Sequence, residues 1–152
     1  MNGTDDIVEK LLTSILSKNI TNLSEPFIKA ALNRLIYLGY EIKETDDWQI
    51  CFCIKKVENH IKSYCNILEI PEGLYEIAID NICGEFLFSK KQSGNLEISN
   101  LDLSNAVRRI QEGDTTVEFS ENQSDSEKLD IFINNLIKKG ESDLICFRKL
   151  KW

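Results

Sequence analysis

The sequence predicts a mainly α-helical protein, a bundle of about five helices with a small β-hairpin or loop arm near residues 106–119. Apolar residues recur at helical spacing in five stretches, and helix-start residues precede each of them. Glycine and proline are scarce, seven and two in 152 residues, which favours long regular elements. The length fits a single domain spanning residues 1–152, and 42% hydrophobic residues are enough to form a core.

Two helices are predicted in the first 40 residues. Asp5 and Asp6 suit the start of the first helix, which we expect to end near Asn19. Ser24 caps the second helix, a proline lies in its first turn, and Gly39 is a suitable stop. The residues predicted to be buried on these helices are Ile7, Val8, Leu11, Leu12, Ile15, Leu16, Phe27, Ile28, Ala31, Leu32, Leu35 and Ile36.

The third and fourth helices are predicted to meet at a proline. Caps at residues 45–47 start the third helix, and Pro71 ends it because proline disfavours helical backbone at the preceding residue. The fourth helix opens at Pro71 and is expected to end near Lys90 or Lys91. Their apolar stripes are Ile50, Cys53, Ile54, Val57, Ile61, Tyr64, Cys65 and Leu68, then Leu74, Tyr75, Ala78, Ile82 and Phe86.

Two alternating stretches, residues 106–110 and 115–119, flank a Glu-Gly-Asp turn and predict a two-stranded hairpin. An isolated hairpin is marginal in water, so this arm needs support from the helices or from a neighbouring subunit. A fifth helix is expected to start at Ser124, and Gly140 interrupts it before residues 143–152 finish the chain. Its predicted buried residues are Leu129, Phe132, Ile133, Leu136 and Ile137.

The five cysteines, Cys51, Cys53, Cys65, Cys83 and Cys146, lie in mostly helical, apolar surroundings and are expected to be reduced, buried thiols. The first two are separated by one residue on a helix and so point about 200° apart, unlike paired zinc ligands. His60 could share a face with Cys53, but the sequence offers no fourth ligand and no nucleophile motif, so a surface or interhelical histidine is expected. We therefore predict no metal, cofactor or catalytic residues, and hence no enzyme. An enzyme using His60 and a cysteine is the weakest alternative.

Charge is unevenly distributed along the chain. The net charge of -7 argues against a nucleic-acid binder. Residues 112–130 carry a net -6, whereas residues 138–152 carry a net +3. These could be a solvated surface and a frayed tail, or surfaces that pair between neighbouring subunits and close into a ring. The candidate interaction residues are Arg108, Arg109, Glu112, Gly113, Asp114, Phe119, Phe147, Arg148, Lys149 and Trp152.

Three stretches resemble one protein family. Residues 107–119, VRRIQEGDTTVEF, are similar to the I-x-E-G-D-x-x-V-x-F segment of small head–tail connector (adaptor, or neck) proteins of tailed bacteriophages and phage-like elements. Residues 64–74 resemble that family's Y-x-N-x-x-x-I-P-x-x-L, and the ending FRKLKW resembles its ending. The matches span about residues 48–152. They do not extend well to the first 45 residues, and Gly140 interrupts a helix expected to be continuous.

The resemblance implies a helical bundle that assembles with copies of itself into a ring, commonly twelve-fold, beneath the portal protein. Such a ring extends the DNA channel, with DNA only as passing cargo, and docks a tail terminator or another neck protein. The expected location is the neck of a virion, or the collar of a headless tail-like particle, after synthesis in the bacterial cytoplasm. Neither a signal peptide nor a membrane span is expected. The main alternative is a monomeric helical adaptor or regulator that binds a host or phage protein.

Overall fold

The structure is a computed structural model that describes residues 3–96 and 124–150. Within these ranges every regular element is helical, which confirms the predicted class. The elements are α1 (Gly3–Ser17), α2 (Glu25–Tyr37), α3 (Asp47–Cys65), α4 (Tyr75–Gln92), α5 (Asp125–Lys138) and α6 (Glu141–Phe147), with 3-10 turns at Glu44–Asp46 and Glu72–Leu74. The predicted hairpin arm at residues 106–119 lies outside the described residues. None of the described helices is long and apolar enough to cross a membrane.

Side-chain caps set the starts of α2 and α5, as predicted. The Ser24 hydroxyl accepts a hydrogen bond from the Phe27 N–H at 3.4 Å. Ser124 and Glu127 form a capping box, in which each side chain accepts from the other residue's N–H, at 3.3 and 3.2 Å. These bonds satisfy N–H groups that have no partner within the helix. Gly39, just after α2, has a φ of +96°, which glycine adopts without strain.

The end of α3 was predicted wrongly. Asn66 adopts left-handed backbone, with a φ of +54°, and its N–H donates to the Lys62 carbonyl, so the helix ends at Cys65. Asparagine tolerates this conformation better than most residues. The predicted apolar stripe therefore stops early: the Tyr64 side chain is 36% exposed and that of Leu68 is 92% exposed.

Two other boundaries differ from the prediction because short helical turns occupy them. Residues after Pro71 form a 3-10 turn, so α4 begins at Tyr75 rather than at the proline. After Gly140, whose φ is +75°, the chain forms the additional helix α6. Five further predicted core positions are also wrong in degree, since Leu16 is exposed and four others are only partly buried, namely Ile7, Ile36, Tyr75 and Ile137.

The buried residues of all six helices form one hydrophobic core, with α4 in contact with α2, α3 and α5. The approach of α5 to α4 is close at Gly84, where an added Cβ would lie 2.8 Å from the Leu136 Cβ. Beside it, the Asn81 side-chain amide faces the carbonyls of Leu136 and Ile137, and its nitrogen, assigned to the side that faces these acceptors, donates to them at 2.8 and 2.9 Å. This packing fixes α5 against α4 and so determines where α6 begins.

Candidate interaction surface

The chain folds back at its C-terminal end onto the turn between α3 and α4. The Lys149 N–H donates to the Cys65 carbonyl at 2.7 Å. The Asn66 side-chain amide donates to the Lys149 carbonyl at 3.3 Å. The Arg148 Cζ lies 5.6 Å from the centre of the Tyr64 ring, within cation–π range. Residues 144–150, the C-terminal segment, therefore lie against residues 64–74, the α3–α4 turn.

Two side chains anchor the C-terminal segment. Leu144 is 2% exposed, and its carbonyl accepts a hydrogen bond from the Cys65 thiol at 3.3 Å. The Phe147 ring lies on Gly73, where an added Cβ would be 2.9 Å from the ring's Cζ. A side chain at position 73 would therefore displace the ring, which accounts for a glycine in this turn.

The same end of the molecule carries several exposed apolar side chains. Leu68 is 92%, Leu150 72% and Ile145 60% exposed, and the Phe147 ring remains 37% exposed. Arg148 and Lys149 are exposed beside them. Single exposed apolar residues are normal, but several together with charged neighbours are typical of a protein-binding surface. We call this group, Tyr64, Leu68, Ile145, Phe147, Arg148, Lys149 and Leu150, the C-terminal surface.

The structure joins two of the stretches that resemble connector proteins. Residues 64–74 contain Tyr64, Asn66 and Gly73, and each of them contacts the final basic-aromatic stretch. Of the predicted interaction residues, Phe147, Arg148 and Lys149 lie in this contact. The others lie outside the described residues, namely Arg108, Arg109, Glu112, Gly113, Asp114, Phe119 and Trp152.

Sequence reasoning missed the exposed apolar members of this surface. Leu68 was assigned to the core because it continues the helical spacing of α3. The signal that could have corrected this is Asn66, because asparagine is enriched at helix ends with left-handed backbone. Ile145 and Leu150 belong to a tail that was interpreted as basic and aromatic, without its aliphatic residues.

The acidic residues 112–130 and the basic C-terminal segment are connected to opposite ends of the bundle. Near one end the Lys91 ammonium donates to the Ser126 carbonyl at 3.1 Å, so the end of α4 and the start of α5 are neighbours. Near the other end Lys139 pairs with Asp80, and α6 begins there. The helix ends that flank residues 97–123, at Gln92 and Asp125, therefore lie at the first end, whereas residues 97–123 themselves lie outside the described residues.

Buried carboxylates elsewhere are committed to the fold. Asp46 lies 2.6 Å from the Lys90 ammonium, Asp80 pairs with both Arg34 and Lys139, and Glu58 lies 2.6 Å from Lys62. Burial alone would raise the pKa of Glu58, but hydrogen bonds from Lys62 and Thr21 outweigh this and lower it. The pairs of Asp46 and Asp80 join different elements, the Glu58–Lys62 pair lies within α3, and none of the three carboxylates is unpaired.

An open cleft of about 620 Å³ lies between α2 and α4. Three of its charged residues are already paired, since the Arg34 Nε donates to Asp80 at 2.8 Å and the Lys139 ammonium also donates to Asp80. The Arg34 guanidinium also lies 5.5 Å from the Tyr37 ring centre. The lining residues are Ala30, Asn33, Arg34, Tyr37, Glu76, Ile79, Asp80 and Lys139. The cleft offers a mixed polar and apolar groove rather than a focused charged site.

The cysteines and the histidine are placed largely as predicted. Four cysteines are buried, but Cys146 is exposed, so the prediction for that residue is wrong. Burial raises the pKa of the Cys53 thiol to about 12 and also raises that of Cys83, which makes both poor nucleophiles. His60 is on the surface, 6.0 Å from the Tyr64 ring, and does not share a buried face with Cys53. Among residues 3–96 and 124–150 no group of His, Cys, Asp or Glu is arranged to hold a metal ion.

No protein-family model, curated protein or solved structure matches the chain.

Proposed function

We propose that this chain is a structural neck protein of a phage or phage-like particle, which forms a ring between the portal and the tail. The observation that supports it most is the contact between residues 64–74 and the C-terminal segment. These stretches are far apart in the sequence, yet both follow the pattern of one family and both contribute to one exposed surface. A shared structural unit explains why these stretches carry the resemblance together.

The charge distribution supports assembly of identical copies. Residues 112–130 are acidic and connect to one end of the bundle, whereas the basic C-terminal segment lies at the other end. A contact between the acidic end of one copy and the C-terminal surface of the next uses each surface once. Such head-to-tail contacts close into a ring when the rotation permits. In our proposal the portal protein and a tail terminator or second neck protein contact the two faces of this ring, and DNA passes through its centre without specific binding.

Deleting residues 147–152 tests the proposal. Leu144 remains as the anchor of α6, so the shortened monomer should keep its circular dichroism spectrum, because the core is unchanged. We expect electron microscopy to show particles without the neck ring, and the purified variant to remain monomeric in the presence of portal protein. Normal particles assembled from the shortened chain would contradict the proposal.

A pair of point variants makes the test more specific. Leu68→Lys changes a residue that is 92% exposed on the C-terminal surface, and Phe52→Lys changes one that is 68% exposed on α3. Both substitutions add one charge at a solvent-exposed position, so neither should alter the stability of the monomer appreciably. We expect Leu68→Lys to prevent ring assembly and Phe52→Lys to permit it.

A second candidate function is a monomeric helical adaptor that binds a host or phage protein. Two exposed aromatic residues favour it, since Trp48 is 65% and Phe52 68% exposed, one helical turn apart on α3. Mass measurement of the purified protein with and without portal protein separates the two functions. A chain that stays monomeric on the portal, and that loses a partner through Phe52→Lys, would support the adaptor.

A further inference from the structure

The C-terminal segment and the surface that receives it are complementary parts that could separate. α6 packs on α3, and beyond Leu144 every residue through Leu150 is exposed. The hydrogen bonds, the cation–π contact and the ring contact that join the segment to the α3–α4 turn involve Tyr64, Cys65, Asn66 and Gly73. We propose that the same receiving surface accepts the C-terminal segment of a second copy, so that neighbouring subunits exchange α6 together with this segment, residues 141–150. This inference rests on the proposed ring.

The occupant is a second copy because the chain's own segment already demonstrates the fit. A neighbour's Leu144 would fill the same buried position beside Cys65, and its Phe147 would lie on the same Gly73. Exchange between identical chains recreates every one of these contacts, which is why domain swapping is a low-cost route to association. Gly140, between α5 and α6, supplies a joint at which the chain can change direction.

The short connection between α5 and α6 explains why, in an isolated chain, the C-terminal segment stays bound to the α3–α4 turn of the same chain. A short connection holds the segment near its surface at an effective concentration on the order of millimolar. A second copy competes only when its local concentration is similar, as it is when subunits are held side by side on a platform. Each subunit then donates one segment and accepts one, so a closed ring leaves no receiving surface empty.

Reversible cross-linking tests the exchange. Tyr64→Cys and Arg148→Cys place two thiols across the contact, in a Cys146→Ser background that removes the exposed native thiol. Both replaced residues are exposed, so the monomer should fold. A cleavable bismaleimide should link the pair within one chain in the isolated protein. In assembled rings it should instead produce a ladder of covalent multimers on a denaturing gel.

Locking the segment gives the second readout. A monomer cross-linked within its own chain should fail to enter rings on the portal, and cleaving the linker should restore assembly. The matched control is Lys56→Cys with Glu85→Cys, which replaces an exposed α3–α4 ion pair of 2.7 Å. Its cross-link should stay within the chain in every state and should not affect assembly. If the first pair does not fold, Asn66→Cys with Lys149→Cys spans the same contact.

The outcomes separate this inference from the proposed function. Rings whose cross-links remain within single chains, or rings formed from locked monomers, would overturn the exchange and leave the neck function intact. Failure of the unmodified chain to form rings with portal protein would overturn both.

Discussion

Asp46 is the residue whose replacement should reveal most about the stability of the bundle. Its side chain is 0% exposed, and its Oδ1 lies 2.6 Å from the Lys90 ammonium. Its Oδ2 accepts hydrogen bonds from the Tyr40 hydroxyl at 3.0 Å and from the Lys43 N–H at 2.9 Å. One carboxylate thus joins the connection between α2 and α3 to the end of α4. Burial of the Tyr40 side chain raises the pKa of its hydroxyl, and the negative charge of Asp46 and the hydrogen bond to it raise that pKa further.

Asp46→Asn keeps the size of this side chain and removes its charge. The amide oxygen can still accept from Tyr40 and Lys43, so the amide NH₂ group must face the Lys90 ammonium, where neither group can accept a hydrogen bond. Removing one partner of a buried ion pair costs about 3–5 kcal/mol. The Lys90 side chain is 13% exposed and can recover part of its hydration, so we expect the free energy of unfolding to fall by about 3 kcal/mol.

Denaturant unfolding followed by far-UV circular dichroism at neutral pH measures this loss as a lower midpoint at an unchanged slope. Lys90→Met and the double variant complete a double-mutant cycle, in which we expect a coupling of about 2 kcal/mol or more. Asp6→Asn, which alters an exposed pair with Lys10, is the matched control and should change little. A loss below about 0.5 kcal/mol for Asp46→Asn would refute the role assigned to this pair.

Three further predictions concern acid stability, thiol reactivity and the joint before α6. Hydrogen bonds from Lys18 and then a serine lower the pKa of Asp47 to about 2, below its unfolded-state value of about 4. The ionised Asp47 therefore contributes to the free energy of unfolding above about pH 4, and this contribution is lost as the pH falls from about 4 to about 2. Asp47→Asn should therefore flatten the decline in unfolding free energy across that range, and an unchanged pH profile would contradict this. A thiol reagent should modify only Cys146 rapidly in the native protein and all five cysteines after unfolding, so a second fast thiol would be inconsistent with the structure. Gly140→Ala should lower the free energy of unfolding by about 2 kcal/mol or more, because the φ is +75° and the added Cβ would lie 2.5 Å from the Ile77 Cδ1. A denaturation midpoint equal to that of the wild type would argue against this packing.

The starts of α2 and α5 were predictable because the interactions that set them are local. Ser24 bonds to the N–H three residues later, and Ser124 and Glu127 form a reciprocal pair within one turn. The apolar spacing of the helices likewise depends only on residues within one element, so most predicted core positions are buried.

The end of α3 was less predictable because two stop signals compete there. Pro71 forbids helix in the preceding residue, but Asn66 had already ended the helix five residues earlier. The helical spacing of Tyr64 and Leu68 continues across this point, and spacing carries no information about where a helix stops. For this reason Leu68, the most exposed apolar residue of the C-terminal surface, was predicted to be buried.

Contacts between distant residues could not be deduced from one sequence. Asp80 pairs with Arg34 and Lys139, which lie 46 and 59 positions away, and either lysine or arginine could have paired with many other carboxylates. The contact between Lys149 and Cys65 depends in the same way on the path of the chain after Gly140. The basic tail is evident in the sequence, but only the structure shows that it lies against the α3–α4 turn.

The reactivity of the Cys65 thiol reports how often the C-terminal segment detaches from the α3–α4 turn. The thiol is fully buried, and this burial raises its pKa, so an alkylating reagent reaches it only while the segment is lifted. The alkylation rate is then the intrinsic rate of the thiol multiplied by the opening equilibrium constant. Time courses of Cys65 alkylation, followed by mass spectrometry after the exposed Cys146 has reacted, report that equilibrium for a free chain and for one held by its neighbours.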